Sequence, residues 1–200
     1  MVRELSIATW NCFGMAQTAL DAITANRAPH GARFRHDEVK QTLDGLHLVC
    51  VQELLSREAE SFFDGLGAAR VRVPNGARFW PITVRGSGLG IAGRLPFAAH
   101  TSEIFASTGA GWDRLARKGT LHVRVSLEGL EIDILNVHLQ AGYDAQAIAI
   151  RTRQIAELAR RVEQLGSDQR LFLVCGDFNV CGLGGKGEAY AWLRAALPGF

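Results

Sequence analysis

No apolar run in this chain approaches the roughly 20 residues that cross a bilayer, and no leader-like apolar stretch precedes the strand-like segment that starts at Leu5. As written, the chain reads as cytoplasmic, and secretion is compatible with it only if a leader has been removed. Charge of one sign is also scarce. A net charge of +2 lacks the basic footprint of a non-specific nucleic-acid binder, which weighs against a nucleic-acid partner without excluding it. The four cysteines, Cys12, Cys50, Cys175 and Cys181, show no CxxC spacing, and three lie in or beside apolar runs. They read as buried reduced thiols rather than zinc ligands or a disulfide framework. Internal repeats, low-complexity tracts and linkers are missing too, so 1–200 reads as one domain. Five of the histidines, His30, His36, His47, His100 and His122, have no motif around them and are assigned no role.

What is present is a core. At 48% hydrophobic residues the chain has ample apolar surface to bury, in segments of alternating type. Strands are expected at Leu5–Trp10, Leu48–Val51, Val71–Val73, Phe79–Val84, Gly88–Ala92, around Phe97 and Ser102–Phe105, and at Leu121–Val125 and Leu130–Leu139. The last two are joined as a hairpin by Glu128-Gly129. Helices are expected over Asp37–Leu46, from Ser56 to Gly65, over Ala145–Leu165 and over Glu188–Leu197, with a short helix and loop within Met15–Arg35. The glycines of Gly88-Leu89-Gly90 indicate close backbone approach. The interleaving of hairpins and helices indicates a mixed α/β protein with packed sheets.

Leu171-Phe172-Leu173-Val174-Cys175 reads as a strand covered on both faces, broken by Gly176 and followed by Asp177 and Asn179. In an extended segment those two side chains project from one side. The same residues also suit a turn. Three other strand-like runs ending in polar groups favour a site: Asn11, Glu53 and His138. A carboxylate, an amide and waters are how Mg²⁺ is held, whereas zinc calls for more imidazole or thiolate. An imidazole beside a second carboxylate can move or stabilise a proton. Together they suggest metal-assisted attack on a phosphoryl centre.

Asn11, Gln52-Glu53, Asn136-Val137-His138-Leu139 and Gly176-Asp177-Phe178-Asn179 resemble, in order and type, the motifs of the endonuclease/exonuclease/phosphatase superfamily. The resemblance implies a four-layer αββα sandwich of two mixed sheets flanked by helices. It implies Mg²⁺, with Mn²⁺ as a possible substitute, on Glu53, with Asn11 close by. Asp177 and Asn179 would hold the nucleophilic water and the phosphoryl group, and His138 would stabilise or protonate its oxygens. Three further features resemble the neutral sphingomyelinase branch: His138-Leu139-Gln140-Ala141, Arg151 with Gln154, and the loop from Asp113 to Lys118-Gly119. In that branch an Asp and a Lys at this spacing work together in a mobile loop, which assigns catalytic roles to Asp113 and Lys118. The expected substrate is then a phosphodiester, with phospholipid favoured and nucleic acid the alternative. Trp80 and Trp112 suit lipid or base contact and core packing equally. The family's Ser-Asp-His motif, which carries the general base, does not occur, so the domain is expected to be C-terminally incomplete relative to the family, or inactive without that base.

Overall fold

The computed structural model describes residues 4–12, 36–74, 78–79, 82–83, 86–107, 109–114, 116–166, 170–181 and 187–198. The expectation for Met15–Arg35 and the residue Trp80 lie outside these, as does the side chain of Trp112. Two four-stranded mixed sheets dominate. The first runs in the order β1 (Ile7–Asn11), β2 (Leu48–Gln52), β6 (Gly90–Gly93) and β3 (Ala69–Arg72). The second runs β10 (Leu171–Asp177), β9 (Leu130–His138), β8 (Gly119–Leu127) and β7 (Phe97–Ile104). In each sheet one pair is parallel, β1 with β2 and β9 with β10, and the other pairings are antiparallel.

Alternation along the strands builds the layers. Leu48 and Cys50 of β2 and Ile91 of β6 face Leu121, Val123, Val125, Ile132 and Ile134 across the space between the sheets. The intervening residues of β2, Val49 and Val51, face outward onto Phe62, Phe63 and Leu66. Two helices cover that side, α1 (His36–Asp44) and α2 (Arg57–Asp64), the latter capped by Ser56, whose side chain accepts from the Ala59 amide at 3.2 Å. On the far side Leu135, Val137 and Leu139 pack against Ile155 and Leu158 of α3 (Ala145–Leu165) and Leu193 of α4 (Gly187–Ala196). The result is the four-layer helix, sheet, sheet, helix sandwich.

The Glu128-Gly129 hairpin is present, with both residues at positive φ, 54° and 89°, as a two-residue turn of primed type requires. Gly90 is the close approach that its strand suggested, since a Cβ there would lie 2.6 Å from Leu54 Cδ1 and Phe63 Cε2. Four expectations need correction. Phe79–Val84 is not one strand, because Arg78–Phe79 (β4) and Ile82–Thr83 (β5) pair antiparallel with each other. The runs near Phe97 and Ser102 are one strand, β7, whose exposed middle hides it from an apolar pattern. The run from Leu171 does not break at Gly176: β10 continues to Asp177, and Gly176 is needed because a Cβ would collide with the Val137 backbone. Among the described residues β10 is also an edge strand, half-buried along most of its length rather than fully enclosed.

Candidate active site

The inner faces change chemistry at one end. Leu48 and Cys50 are followed in step by Gln52, Ile132 and Ile134 by Asn136 and His138, and Leu173 and Cys175 by Asp177. Because β1 and β2 run parallel, as do β9 and β10, Asn11 pairs in register with Gln52 and Asp177 with His138. These strands pack across the sandwich, β1 against β10 and β2 against both β9 and β10, so their carboxyl ends meet. Asn11 Nδ2 donates to Glu53 Oε1 at 3.0 Å and to Asp177 Oδ2 at 2.8 Å, binding carboxylates from the two sheets to one amide. His138 Nε2 lies 3.8 Å from that Glu53 oxygen and 3.9 Å from that Asp177 oxygen.

Glu53 stands one residue beyond β2 at φ 64°, and Asn179 two beyond β10 at φ 51°. The left-handed region is unfavourable for a glutamate, at a cost of about 1–3 kcal/mol. The surroundings fix it there: Cys12 Sγ donates to Glu53 O, the Leu54 amide to Gly88 O, and a Cβ on Gly88 would come within 3.1 Å of Glu53 Cα. Asn179 is therefore not aligned with Asp177 as an extended segment would place it. Its amide N–H donates to Asp177 Oδ1 at 2.9 Å and its side chain donates to Leu139 O at 2.9 Å, so it braces the carboxylate.

Lys118 and Asp113 join the group from the other side. The buried Lys118 ammonium is 2.9 Å from His138 Nε2, 3.4 Å from Nδ1 and 3.1 Å from Asp113 Oδ1. The ammonium thus lies within reach of both ring nitrogens, against the flank of the imidazole. Burial, then the Lys118 charge, push His138 well below its ordinary range and keep the ring neutral. Burial also pushes the Glu53 carboxyl above the usual carboxylate range, opposed by the Asn11 hydrogen bond and the Lys118 charge and reinforced by Asp113 and Asp177.

This donor set is the one a hard divalent cation takes: carboxylate and amide oxygens without thiolate. Among the described residues no three His, Cys, Asp or Glu side chains are grouped as a ready-made ligand set. Mg²⁺ keeps several of its waters and does not demand one. The site fits it on a second count. Glu53 is half-buried beside the like charges of Asp177 and Asp113, and burial outweighs the Asn11 hydrogen bond and the Lys118 charge, so a cation would relieve the excess negative charge.

The sequence pattern described as Endonuclease/Exonuclease/phosphatase family matches residues 8–198. The chain belongs to the endonuclease/exonuclease/phosphatase family. Among solved structures this family member is similar to sphingomyelinase C from Streptomyces griseocarneus, with a TM-score of 0.75 and 18% identity, over 98% of this chain and 70% of that one. A beta toxin from Staphylococcus aureus determined with bound magnesium ions gives 0.75 and 16%, over 98% and 70%. A humanized D. rerio TDP2 gives 0.63 and 17%, over 94% and 66%. No curated protein sequence matches the chain. Family members act on phosphodiester bonds. No helix among the described residues of this member is long and apolar enough to cross a membrane.

Two side chains of the site stood in the motifs without a role: Gln52 and Asn136. Gln52 Nε2 donates to Asn136 Oδ1 at 2.7 Å and to Thr9 Oγ1 at 3.1 Å, while Asn136 Nδ2 donates to Val51 O and Gly90 O. This fully buried pair ties the sheets together beneath the carboxylates. Its signal was an amide standing in step with the apolar inner residues of a central strand.

Proposed function

We propose that this chain is a divalent-cation-dependent phosphodiester hydrolase acting on a phospholipid of the sphingomyelin class. The observation that carries the reading is the meeting of Asn11, Glu53, His138 and Asp177, from the ends of four strands in two sheets, at 2.8 to 3.9 Å. Glu53 is the principal ligand, with Asn11 beside it, and the bound cation, Mg²⁺ or Mn²⁺ in its place, supplies positive charge to the phosphoryl oxygens. Asp177 accepts a hydrogen bond from the attacking water, with Asn179 fixing the carboxylate's angle. His138, held neutral, turns its Nε2 edge toward the two carboxylates and stabilises a phosphoryl oxygen there by hydrogen bonding rather than by delivering a proton. Lys118 places a compact positive charge next to it, and Asp113 holds that charge in place.

Lipid is favoured over nucleic acid by the near-neutral net charge, by the Asp113 to Lys118 segment, and by likeness to a structure named as sphingomyelinase C. The test is Mg²⁺-dependent release of the phosphorylated head group from sphingomyelin vesicles, run beside nicking of a supercoiled plasmid. Head-group release without nicking supports the reading. Nicking without release assigns the site to nucleic acid, and inactivity on both substrates reduces the chain to a domain that keeps the fold without the chemistry.

A further inference from the structure

The layer of α1 and α2 over the first sheet leaves a gap at the end away from Glu53. There the last turn of α1, the segment that follows α2 and the near ends of β2 and β6 enclose a cavity of about 210 Å³. Leu43, Leu46, Val49, Leu66 and Ala92 give it an apolar lining. Part of its wall is bare backbone. A Cβ on Gly67 would collide with the Gly93 backbone and one on Gly93 with His47 O, so glycine lets loop and strands close on each other there. Val49 stands four residues before Glu53, ~13 Å along an extended strand, which keeps this cavity apart from the carboxylates of the candidate active site.

Two arginines border the cavity. Arg94 lines it and donates through Nη2 to Asp44 O at the C-terminal end of α1. Arg70, directly opposite Ala92 in the ladder of β3 and β6, donates through Nη1 to Leu66 O at 3.3 Å and to Gly67 O at 2.6 Å. Cations suit the carbonyls at helix ends, and that role accounts for one nitrogen of each guanidinium. Five N–H donors belong to each, so both have more to offer. Arg72, two residues after Arg70, reaches Glu60 at 2.7 Å, whereas among the described residues neither Arg70 nor Arg94 meets a carboxylate. Asp44, the acidic residue of the lining, gives Arg94 its backbone carbonyl instead.

The space and the charge together specify a ligand. An apolar cavity of about 150 Å³ holds benzene, so this one takes a single ring or a chain of about six to eight carbons. Two guanidinium charges against the one of Asp44 favour a head group that is a monoanion. The planar fork of arginine matches a carboxylate. Because Arg70 and Arg94 are exposed, the tail supplies most of the affinity and the head supplies the selection.

We propose that this cavity is a second binding site, for a small amphipathic carboxylate whose tail lies among Leu43, Leu46, Val49, Leu66 and Ala92 and whose head is held by Arg70 and Arg94. The site stands whether or not the chain hydrolyses a phosphodiester.

The experiment is calorimetric titration of the whole protein with octanoate and with octanamide, which keeps the tail and carries no charge, while backbone NMR shifts locate the bound molecule. Octanoate is expected to bind saturably at one site and octanamide at least ~10-fold more weakly. The shifts centre on Val49, Leu66 and Ala92 and leave Asn11 and Glu53 unmoved. In the double variant Arg70→Gln, Arg94→Gln octanoate binds no better than octanamide does, while octanamide is unaffected. Ala68→Phe, at an exposed position of the lining, weakens both ligands by filling the space, and it serves as the test if the double variant does not fold. Octanoate that fails to bind, or binds no more tightly than octanamide, would overturn the proposal. So would shifts centred on Asn11 and Glu53, or an octanoate affinity that neither variant changes. Since the assay reads binding alone, a chain inactive on every phosphodiester would leave these outcomes as they are.

Discussion

Strand β9 carries two buried ionisable clusters, one around Asp133 on its outer face and one around His138 at its inner end, and they are built on opposite principles. Asp133 is fully buried and answered on every side: Arg170 Nε at 2.6 Å, His122 Nε2 at 2.8 Å and Arg124 Nε at 2.9 Å all donate to it. Burial pushes its carboxyl up, yet the hydrogen bonds from Arg170, Arg124 and His122 outweigh that and hold it below the usual range. Glu53 is less completely buried but is underserved, with its carboxyl pushed up, its backbone strained and two further carboxylates close by. The comparison separates two uses of a buried charge. Where donors are complete the carboxylate joins β8, β9 and β10 into one structure; where they are withheld, the site is left wanting a ligand.

Substitutions should therefore move rate at one end of β9 and stability at the other. Glu53→Ala is expected to lower Mg²⁺-dependent phosphodiester turnover by about 10³, the scale of several kcal/mol that a cation supplies, with no loss of melting temperature. Steady-state kinetics beside thermal melts checks both halves. Asp133→Asn leaves arginines without their counter-charge and should destabilise by roughly 3–5 kcal/mol in urea unfolding, while the folded fraction keeps its kcat. Lys118→Met is expected to cost about 10² in kcat, read against an unchanged fold by circular dichroism.

The pH dependence sharpens the contrast further. Asp133 releases its proton below its ordinary value of 3.8 when folded, so between the two values the unfolded chain binds more protons. Its stabilisation is complete above the ordinary value and is lost as pH falls through the depressed one. Urea midpoints measured from neutral to acid pH should show that decline in wild type and a shallower one in Asp133→Asn. Glu53 has the opposite sign: folding raises its carboxyl, so ionising it above the ordinary carboxylate range works against the fold. In metal-free protein at neutral pH, Glu53→Gln should therefore stabilise by about 0.5–2 kcal/mol, the smallest effect of the set.

Much of this was legible in the sequence, because the parts that position the site obey simple periods. The apolar run Leu48–Val51 and the strand-like segment Leu130–Leu139 gave the central strands, and the polar residues that end these and the strands beside them gave Asn11, Glu53, His138 and Asp177. What was hidden depends on conformations and partners distant in sequence. The left-handed backbone of Glu53 follows from Gly88 and Cys12, each more than thirty residues away, and not from its neighbours. Gly176 read as a strand break because a glycine ends many strands; here it is inside one, where the Val137 backbone leaves no room for a Cβ. His122 carried no motif, since its meaning comes from Asp133 on the adjacent strand.

The central claim is that Glu53 and its companions form a cation-dependent phosphodiesterase site, and it is tested most directly by head-group release from sphingomyelin vesicles by wild type, Glu53→Ala and Asp133→Asn, each with Mg²⁺ and with chelator. Wild type is expected to release head group in a manner that chelator abolishes, Glu53→Ala to release none, and Asp133→Asn to show wild-type turnover per folded molecule. Release that survives both chelator and Glu53→Ala would contradict the central claim.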